Sequence, residues 1–338
     1  MIFKRKKHIA AAFLSALLLL GGCGSHEQAK TETAAPAGFP VTWTQTLSGT
    51  SSEMQVKEAP KHAVSMSQAT TEMLLALGVE SQMAGTAFKE EDIYPPLQTA
   101  YDKVPVLAEK WPSYEVLMAA QPDFVTGWEV AFTKRGIEAD KITAQNVPIY
   151  IPSSMQSTQA NLDMLFTDMQ KLGDIFGVRD KADAWVSGQK KQLAAVQDKI
   201  KDLPHKKIFI LDSDDGEPFT AFEGYTPNLL RLINADNVMS GQGVDKTWAK
   251  TSWETVIAAD PEYIIVADYG VSMRNDDDFQ QKVEKMRNNP QLQGIKAVRE
   301  NHFVRVKLSE ITPGVRSVDA LVRLAEAIHG ITLEDTKK

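Results

Sequence analysis

SYEVLMAAQPDFVTG at residues 113–127 and SWETVIAADPEYIIV at residues 252–266 are two copies of one pattern. Each runs from a serine through an aromatic residue and a glutamate to Ala-Ala. One residue, a proline, an acid, a second aromatic and a run rich in β-branched residues follow. Five positions are identical without a gap, at an offset of 139 residues. Serine caps a helix, proline stops it, and a β-branched run makes a strand, so each copy predicts a short helix feeding a strand. Solenoid repeats recur at about 20–50 residues, so recurrence over a distance this long predicts two lobes of one architecture.

The flanking sequence extends that reading. Strands are predicted at 62–66, 82–86, 207–212, 263–267 and 303–307, with helices at 70–77 (ended by Gly78) and 226–234. Strands alternating with helices indicate an α/β chain. Between the halves, DKADAWVSGQKKQLAAVQDKIKDL (180–203) carries Ala182, Trp185, Leu193, Val196 and Ile200 near helical spacing, and Pro204 stops it. At about 1.5 Å per residue such a helix spans roughly 35 Å, enough to brace two lobes.

The chain has 338 residues with 43% apolar and 24% charged side chains, the composition of a globular protein of ordinary two-domain size. Its single cysteine excludes a disulfide framework, a thiolate zinc cluster and an iron–sulfur centre. Lys4, Arg5, Lys6 and Lys7 precede an apolar run from Ile9 to Leu20 and then Gly21-Gly22-Cys23, the layout of a secretory signal. Loss of those four basic residues takes the net charge from −7 to −11, which argues against nucleic acid as a partner. Residues 24–40 are small and polar and predict a flexible tether.

Leu20-Gly21-Gly22-Cys23 resembles the bacterial lipobox, in which the cysteine is lipidated. The body, over about residues 58–330, resembles the substrate-binding lipoproteins of ABC importers for ferric siderophores, haem and cobalamin. AVSMSQATTEMLLALG (63–78) is similar to the opening strand, loop and helix of that family, and 112–125 and 248–266 are similar to its two lobe units. Residues 297–307 with Arg316 are similar to its closing strand and loop. The resemblance implies an α/β fold of two Rossmann-like lobes joined by one long rigid helix, with the ligand in the cleft between them. It also implies a lipid anchor on the extracytoplasmic face of the cell membrane and one docking glutamate per lobe for a permease dimer, at Glu115 and Glu254. The expected division is a signal peptide (1–22), a lipidated Cys23 with its tether (23–40), an N-terminal lobe (41–155), a helical linker region (156–204) and a C-terminal lobe (205–338). The expected chain is a monomer with no cofactor of its own.

Ligands in open α/β sheets bind beyond the carboxyl ends of the strands. That rule selects Met66, Ser67, Trp128, Ser153 and Ser154 in the first half, and Ser213, Tyr269 and Arg316 in the second. Trp111 and Trp248, just before the repeats, are expected at the same cleft, with Phe219, Phe222, Tyr225 and Arg274 in a second rank. Aromatic walls suit a large chelate, and an arginine suits carboxylate or oxyanion groups. Each has a plainer role available: Ser67 as a helix cap, Arg316 as partner of Glu310 or Asp319, and Glu72 as an acid favouring its own helix start. Asp212–Glu217 is expected to be a solvated loop rather than a calcium site. The sequence contains no G-x-S-x-G, H-E-x-x-H or Walker motif, and His62, His205, His302 and His329 are scattered. A ferric siderophore is the leading expectation for the ligand, with haem or cobalamin next. A chelatase-like surface enzyme acting on a tetrapyrrole and a passive adhesion or sensor domain are the readings from other classes.

Overall fold

The computed structural model describes residues 37–269 and 278–333. Cys23 and Arg274 fall outside them. An antiparallel hairpin opens the body, β1 (Val41–Leu47) with β2 (Thr50–Val56). Ser48 and Gly49 turn it with φ of 49° and 81°, the left-handed pair that matches strand twist in a two-residue turn. Phe39, at the end of the expected tether, packs against the core.

The N-terminal lobe is a parallel sheet of β3 (Ala63–Ser65), β4 (Met83–Ala87), β5 (Val106–Ala108), β6 (Phe124–Thr126) and β7 (Ile149–Tyr150). Its spatial order is β5-β4-β3-β6-β7. Helices α1 (Gln68–Ala76), α2 (Gln98–Tyr101), α3 (Tyr114–Ala119) and α4 (Ala139–Thr143) lie in the connections. Helices α5 (Leu162–Ile175) and α6 (Arg179–Ile200) then cross to the second lobe. There β8 (Lys206–Leu211), β11 (Ala235–Asn237), β13 (Tyr263–Asp268) and β14 (Phe303–Lys307) form a parallel sheet in the order β11-β8-β13-β14. A small antiparallel sheet of β9 (Ser213–Asp214), β10 (Pro218–Ala221) and β12 (Trp248–Lys250) sits beside it. The helices of this lobe are α7 (Tyr225–Arg231), α8 (Trp253–Ala259), α9 (Asp278–Arg287), α10 (Lys296–Arg299), α11 (Leu308–Ile311) and α12 (Ser317–His329). Among the described residues no helix is long and apolar enough to cross a membrane.

The sequence repeat is a repeat of hydrogen bonds. Ser113 caps α3 by accepting from Val116 N, and Ser252 caps α8 by accepting from Thr255 N. Gln121 and Asp260, equivalent in the two copies, both turn the chain at positive φ, 50° and 43°. The acid after each proline then fastens the entry to the lobe's middle strand. Asp123 accepts from the amides of Lys61 (2.7 Å) and His62 (3.0 Å) ahead of β3, and Glu262 accepts from Lys207 N (3.2 Å) in β8. Thus β6 is set beside β3, and β13 beside β8, by the same device.

A single apolar cluster runs through both lobes. Met73 and Leu165 from the first half, Val186 and Val196 of α6, and Ile208, Leu229 and Leu321 from the second all belong to it. Polar contacts reinforce the join: Gln192 Nε2 donates to Asp319 Oδ1 (2.7 Å), and Asn228 Nδ2 donates to the Ala160 carbonyl (2.9 Å). The linking helix has 22 residues, about 33 Å at 1.5 Å per residue.

Helices α5 and α6 approach closely because position 173 is glycine. A Cβ there would meet Ala182 Cβ at 2.6 Å and Arg179 Cα at 3.2 Å. Gly173→Ala is therefore expected to destabilise the protein by about 1–3 kcal/mol through overpacking. Adding Ala182→Gly should recover part of the loss. Urea unfolding of the two variants measures both effects, and an undiminished midpoint in Gly173→Ala would show that the helices can separate at no cost.

Candidate ligand cleft between the lobes

Strand order reverses between β3 and β6 in one lobe and between β8 and β13 in the other. Such switch points open a crevice beyond the carboxyl ends of the strands. Around the first, Met66 and Ser67 are fully buried. Ser67 is the N-cap of α1, accepting from Thr70 N, and Met66 gives its carbonyl to Trp111 Nε1 (3.0 Å). Trp111 stacks on Phe88 with ring centroids 4.5 Å apart and planes 7° from parallel. Trp128, half-buried, follows Gly127, where a Cβ would stand 2.8 Å from Met66 Cβ. Burial pushes the Glu90 carboxyl up to about 7, with the nearby Trp128 indole opposing the rise and the Glu72 charge adding to it. Ser153 N and Oγ and Ser154 N all donate to the buried Asp168, and Ser154 Oγ has no partner among the described residues.

Around the second switch point, the Tyr269 hydroxyl donates to Asp212 Oδ1 at 2.5 Å. Burial, followed by the Asp212 charge, holds that phenol well above its usual range, and Glu90 of the opposite lobe contributes from within electrostatic reach. Lys282 donates to the carbonyls of Asp212 (2.5 Å) and Ala267 (2.7 Å), pairs with Asp278 at 2.6 Å and lies 4.9 Å from the Tyr269 ring centre. Of the stretch expected as a solvated loop, Asp215, Gly216 and Glu217 are exposed, but its first half is not. Asp212 is buried, and Ser213–Asp214 pairs with β10. Ser213 lines a crevice of about 120 Å³ with Asp215, Lys282 and Lys285. Among the described residues no His, Cys, Asp and Glu side chains are grouped to hold a metal ion.

Trp111 and Trp248 do not occupy equivalent places. Trp111 lies in a loop after β5, whereas Trp248 is in β12 and stacks on Phe219 with centroids 6.2 Å apart. Phe222 and Tyr225 are buried, and the Tyr225 hydroxyl donates to Ser317 Oγ (2.8 Å).

Arg316 crosses between the lobes. It precedes α12 and is only 5% exposed. Its Nε donates to Glu72 Oε2 at 2.9 Å and its Nη2 to Glu72 Oε1, a bidentate pair. Nη1 donates to Glu91 Oε1 at 3.1 Å and Nη2 to the Asp92 carbonyl at 2.7 Å. Neither Glu310 nor Asp319 is its partner: Glu310 takes Arg323, and Asp319 takes Tyr94 and Gln192. Glu72 likewise does not serve its own helix start. It lies past the first turn of α1 and accepts from Gln68, Tyr94 N and Arg316. Ser309 also donates to Glu91, and burial lifts the Glu91 carboxyl to about 7 against the pull of Arg316 and Lys307. Side chains 244 residues apart in the chain could not be matched from sequence spacing.

Outside the cleft, Glu115 and Glu254 are both exposed in the first turns of α3 and α8, where the helix dipole favours a carboxylate. The Glu115 carboxyl is held below its usual value by its own backbone N–H and by the Ser113 hydroxyl.

Two parallel-sheet lobes on a bracing helix, with switch-point loops facing across a cleft, define a two-lobed binding protein. The chain belongs to the periplasmic binding protein family, solute-binding receptors whose model matches residues 64–308. A crystal structure of a periplasmic binding protein from Veillonella parvula is 68% identical, covers 88% of this chain and 100% of its own, and superposes with a TM-score of 0.86. The ABC-type Fe3+-hydroxamate transport system structure from Saccharomonospora viridis is 21% identical, covers 86% and 99% of the two chains, and has a TM-score of 0.69. Among curated proteins, the uncharacterized ABC transporter substrate-binding lipoprotein YvrC of Bacillus subtilis is 24% identical over 98% of this chain and 100% of its own.

Arg316→Leu removes the cation and leaves Glu72 and Glu91 buried, at an expected cost of about 3–5 kcal/mol. Urea unfolding measures the loss, and Arg316→Leu with Glu72→Leu should be less destabilised than Arg316→Leu alone. Glu90 predicts a pH dependence. Its folded carboxyl titrates near 7 against an ordinary 4.5, so the folded state holds a proton longer. The stability it contributes is complete below about pH 4.5 and is lost as pH rises through about 7. Glu90→Gln should flatten the fall in unfolding midpoint across that window; an unchanged slope would assign the effect elsewhere.

Proposed function

We propose that this chain is the extracytoplasmic receptor of an ABC importer, capturing a ferric siderophore or related iron chelate and delivering it to the permease. The observation that supports the reading is an aromatic side chain at each switch point: the Phe88–Trp111 stack and Trp128 in one lobe, and Tyr269 in the other. A large chelate needs broad aromatic contact with a few placed polar groups, and these side chains suit that need. The name of the Bacillus relative, an ABC transporter substrate-binding lipoprotein, supports the transport role, and the Fe3+-hydroxamate title of the Saccharomonospora structure supports the iron chelate. In this reading the lipid on Cys23 holds the protein at the membrane, and the body acts as a monomer without catalysis or a cofactor of its own.

Glu115 and Glu254 supply the contact to the permease. Equivalent residues in a repeated unit present equivalent acids, one per lobe, and a two-fold permease offers two equivalent acceptors. Tryptophan fluorescence, titrated with ferric hydroxamates, ferric catecholates, haem and cobalamin, tests the receptor role. A saturable quench with an iron chelate is expected, and no response to any of them would sink it. Glu115→Ala with Glu254→Ala should abolish uptake while leaving the dissociation constant within about two-fold, because both acids lie outside the cleft. A matching loss of affinity would return the glutamates to the binding site.

A further inference from the structure

Glu91 lies between β4 and α2, in the first half of the chain, but its carboxyl meets groups of the second half. Arg316 Nη1 donates to Oε1 at 3.1 Å, Ser309 Oγ donates to the same oxygen, and Lys307 Nζ stands 4.0 Å from Oε2. These partners come from the end of β14, from α11 and from the residue ahead of α12. Glu72 differs, because its own lobe supplies two of its donors, Gln68 Nε2 and Tyr94 N. Separating the two surfaces would leave Glu72 bonded and hand the Glu91 carboxylate to water.

The charges at this join do not balance. The buried guanidinium of Arg316 faces two carboxylates, Glu72 in bidentate geometry and Glu91 through one nitrogen. The Lys307 side chain is half-exposed, so solvent screens its charge. The other charged groups nearby are engaged: Glu310 pairs with Arg323 and accepts from Lys307 N, and Asp319 takes Tyr94 and Gln192. Glu90 and Asp92 flank Glu91 in the chain, and the Asp92 carbonyl accepts from Arg316. Two carboxylates taken out of water against one guanidinium leave a negative charge in excess, and a proton cancels it. Burial accordingly lifts the Glu91 carboxyl to about 7 over the pull of Arg316 and Lys307, with Glu72 and Glu310 adding to the rise.

We propose that Glu91 is a proton latch: the join between residues 90–92 and the corner from β14 to α12 closes with the uptake of one proton and loosens when that proton leaves. The latch is a property of the fold and holds whatever the ligand is. In the closed join the proton sits on Oε2, because Oε1 already accepts from Arg316 and Ser309, and Arg316 then balances Glu72 alone. In the open join water solvates Glu91, which ionises at its ordinary 4.5. The closed form therefore binds the proton more tightly. The join is firmest below about pH 4.5, weakens as pH rises to about 7 and weakens no further above that. Phe88, three residues before Glu91, stacks on Trp111, so the latched segment also carries half of an aromatic pair at the first switch point.

Hydrogen–deuterium exchange of the full chain and of Glu91→Gln, compared peptide by peptide at each pH so that intrinsic amide rates cancel, tests the latch. Glutamine is isosteric with the protonated acid and keeps an oxygen for Arg316 and Ser309. In residues 88–94 and 307–316 the ratio of wild-type to variant exchange should rise about ten-fold or more between about pH 4.5 and about pH 8. Peptides of α3, outside the join, should keep a constant ratio. A flat or falling ratio at the join, or an equal rise in α3, would overturn the latch. Infrared difference spectra across the same range give a second reading. The wild type should lose a buried protonated-carboxyl band as pH passes about 7, and Glu91→Gln should lack part of that band. A band of full strength in Glu91→Gln would place the proton on another residue and overturn the proposal.

Discussion

A guanidinium taken out of water costs several kcal/mol, and the loss is recovered only where carboxylates meet it in good geometry. Arg316 meets that condition with groups from the other half of the chain: the bidentate pair to Glu72, the contact to Glu91 and the Asp92 carbonyl. The pairing has strict requirements. Helix α1 must present Glu72 from its inner face, the segment after β4 must turn back to bring Glu91 and Asp92 alongside, and α12 must begin where the arginine can reach both. Gln68 fixes that turn by accepting from the amides of Glu90 and Glu91 at 2.8 and 2.9 Å. The ion pairing that joins the two halves thus depends on how one short segment, residues 90–92, is held.

How much of this was legible in the residues depended on the range of the interaction. Strand and helix positions follow from local pattern, and β14 falls on the predicted 303–307. The repeat was legible as well, because capping serines, a proline and an acid keep fixed spacing whatever surrounds them. The opening hairpin also left a signal: VTWTQTL alternates buried and exposed residues, and Ser-Gly makes its turn. Short strands at the edge of a lobe are weaker signals, and β9, β10 and β12 have two to four residues each. Pairings between halves leave no local trace. Glu72 looks like any helical glutamate until α12 is in place, and Arg316 looks free for a ligand until Glu72 and Glu91 surround it.

The two lobes are alike in construction but unlike in filling. In each, the acid after the proline fastens the middle strand, and in each the chain turns at one left-handed residue. Their walls have diverged: tryptophans and a half-buried glutamate on one side, a tyrosine locked to an aspartate on the other. Duplicated framework and diverged loops are consistent with function grafted onto a common scaffold.

The apolar cluster that runs from Met73 through α6 to Leu321 makes the lobes thermodynamically inseparable. Cut after Ile200, either piece would carry a torn face of leucine, valine and isoleucine into water. The pair with its helix is therefore one folding unit, and a stabilising change in either lobe is shared at once by the other.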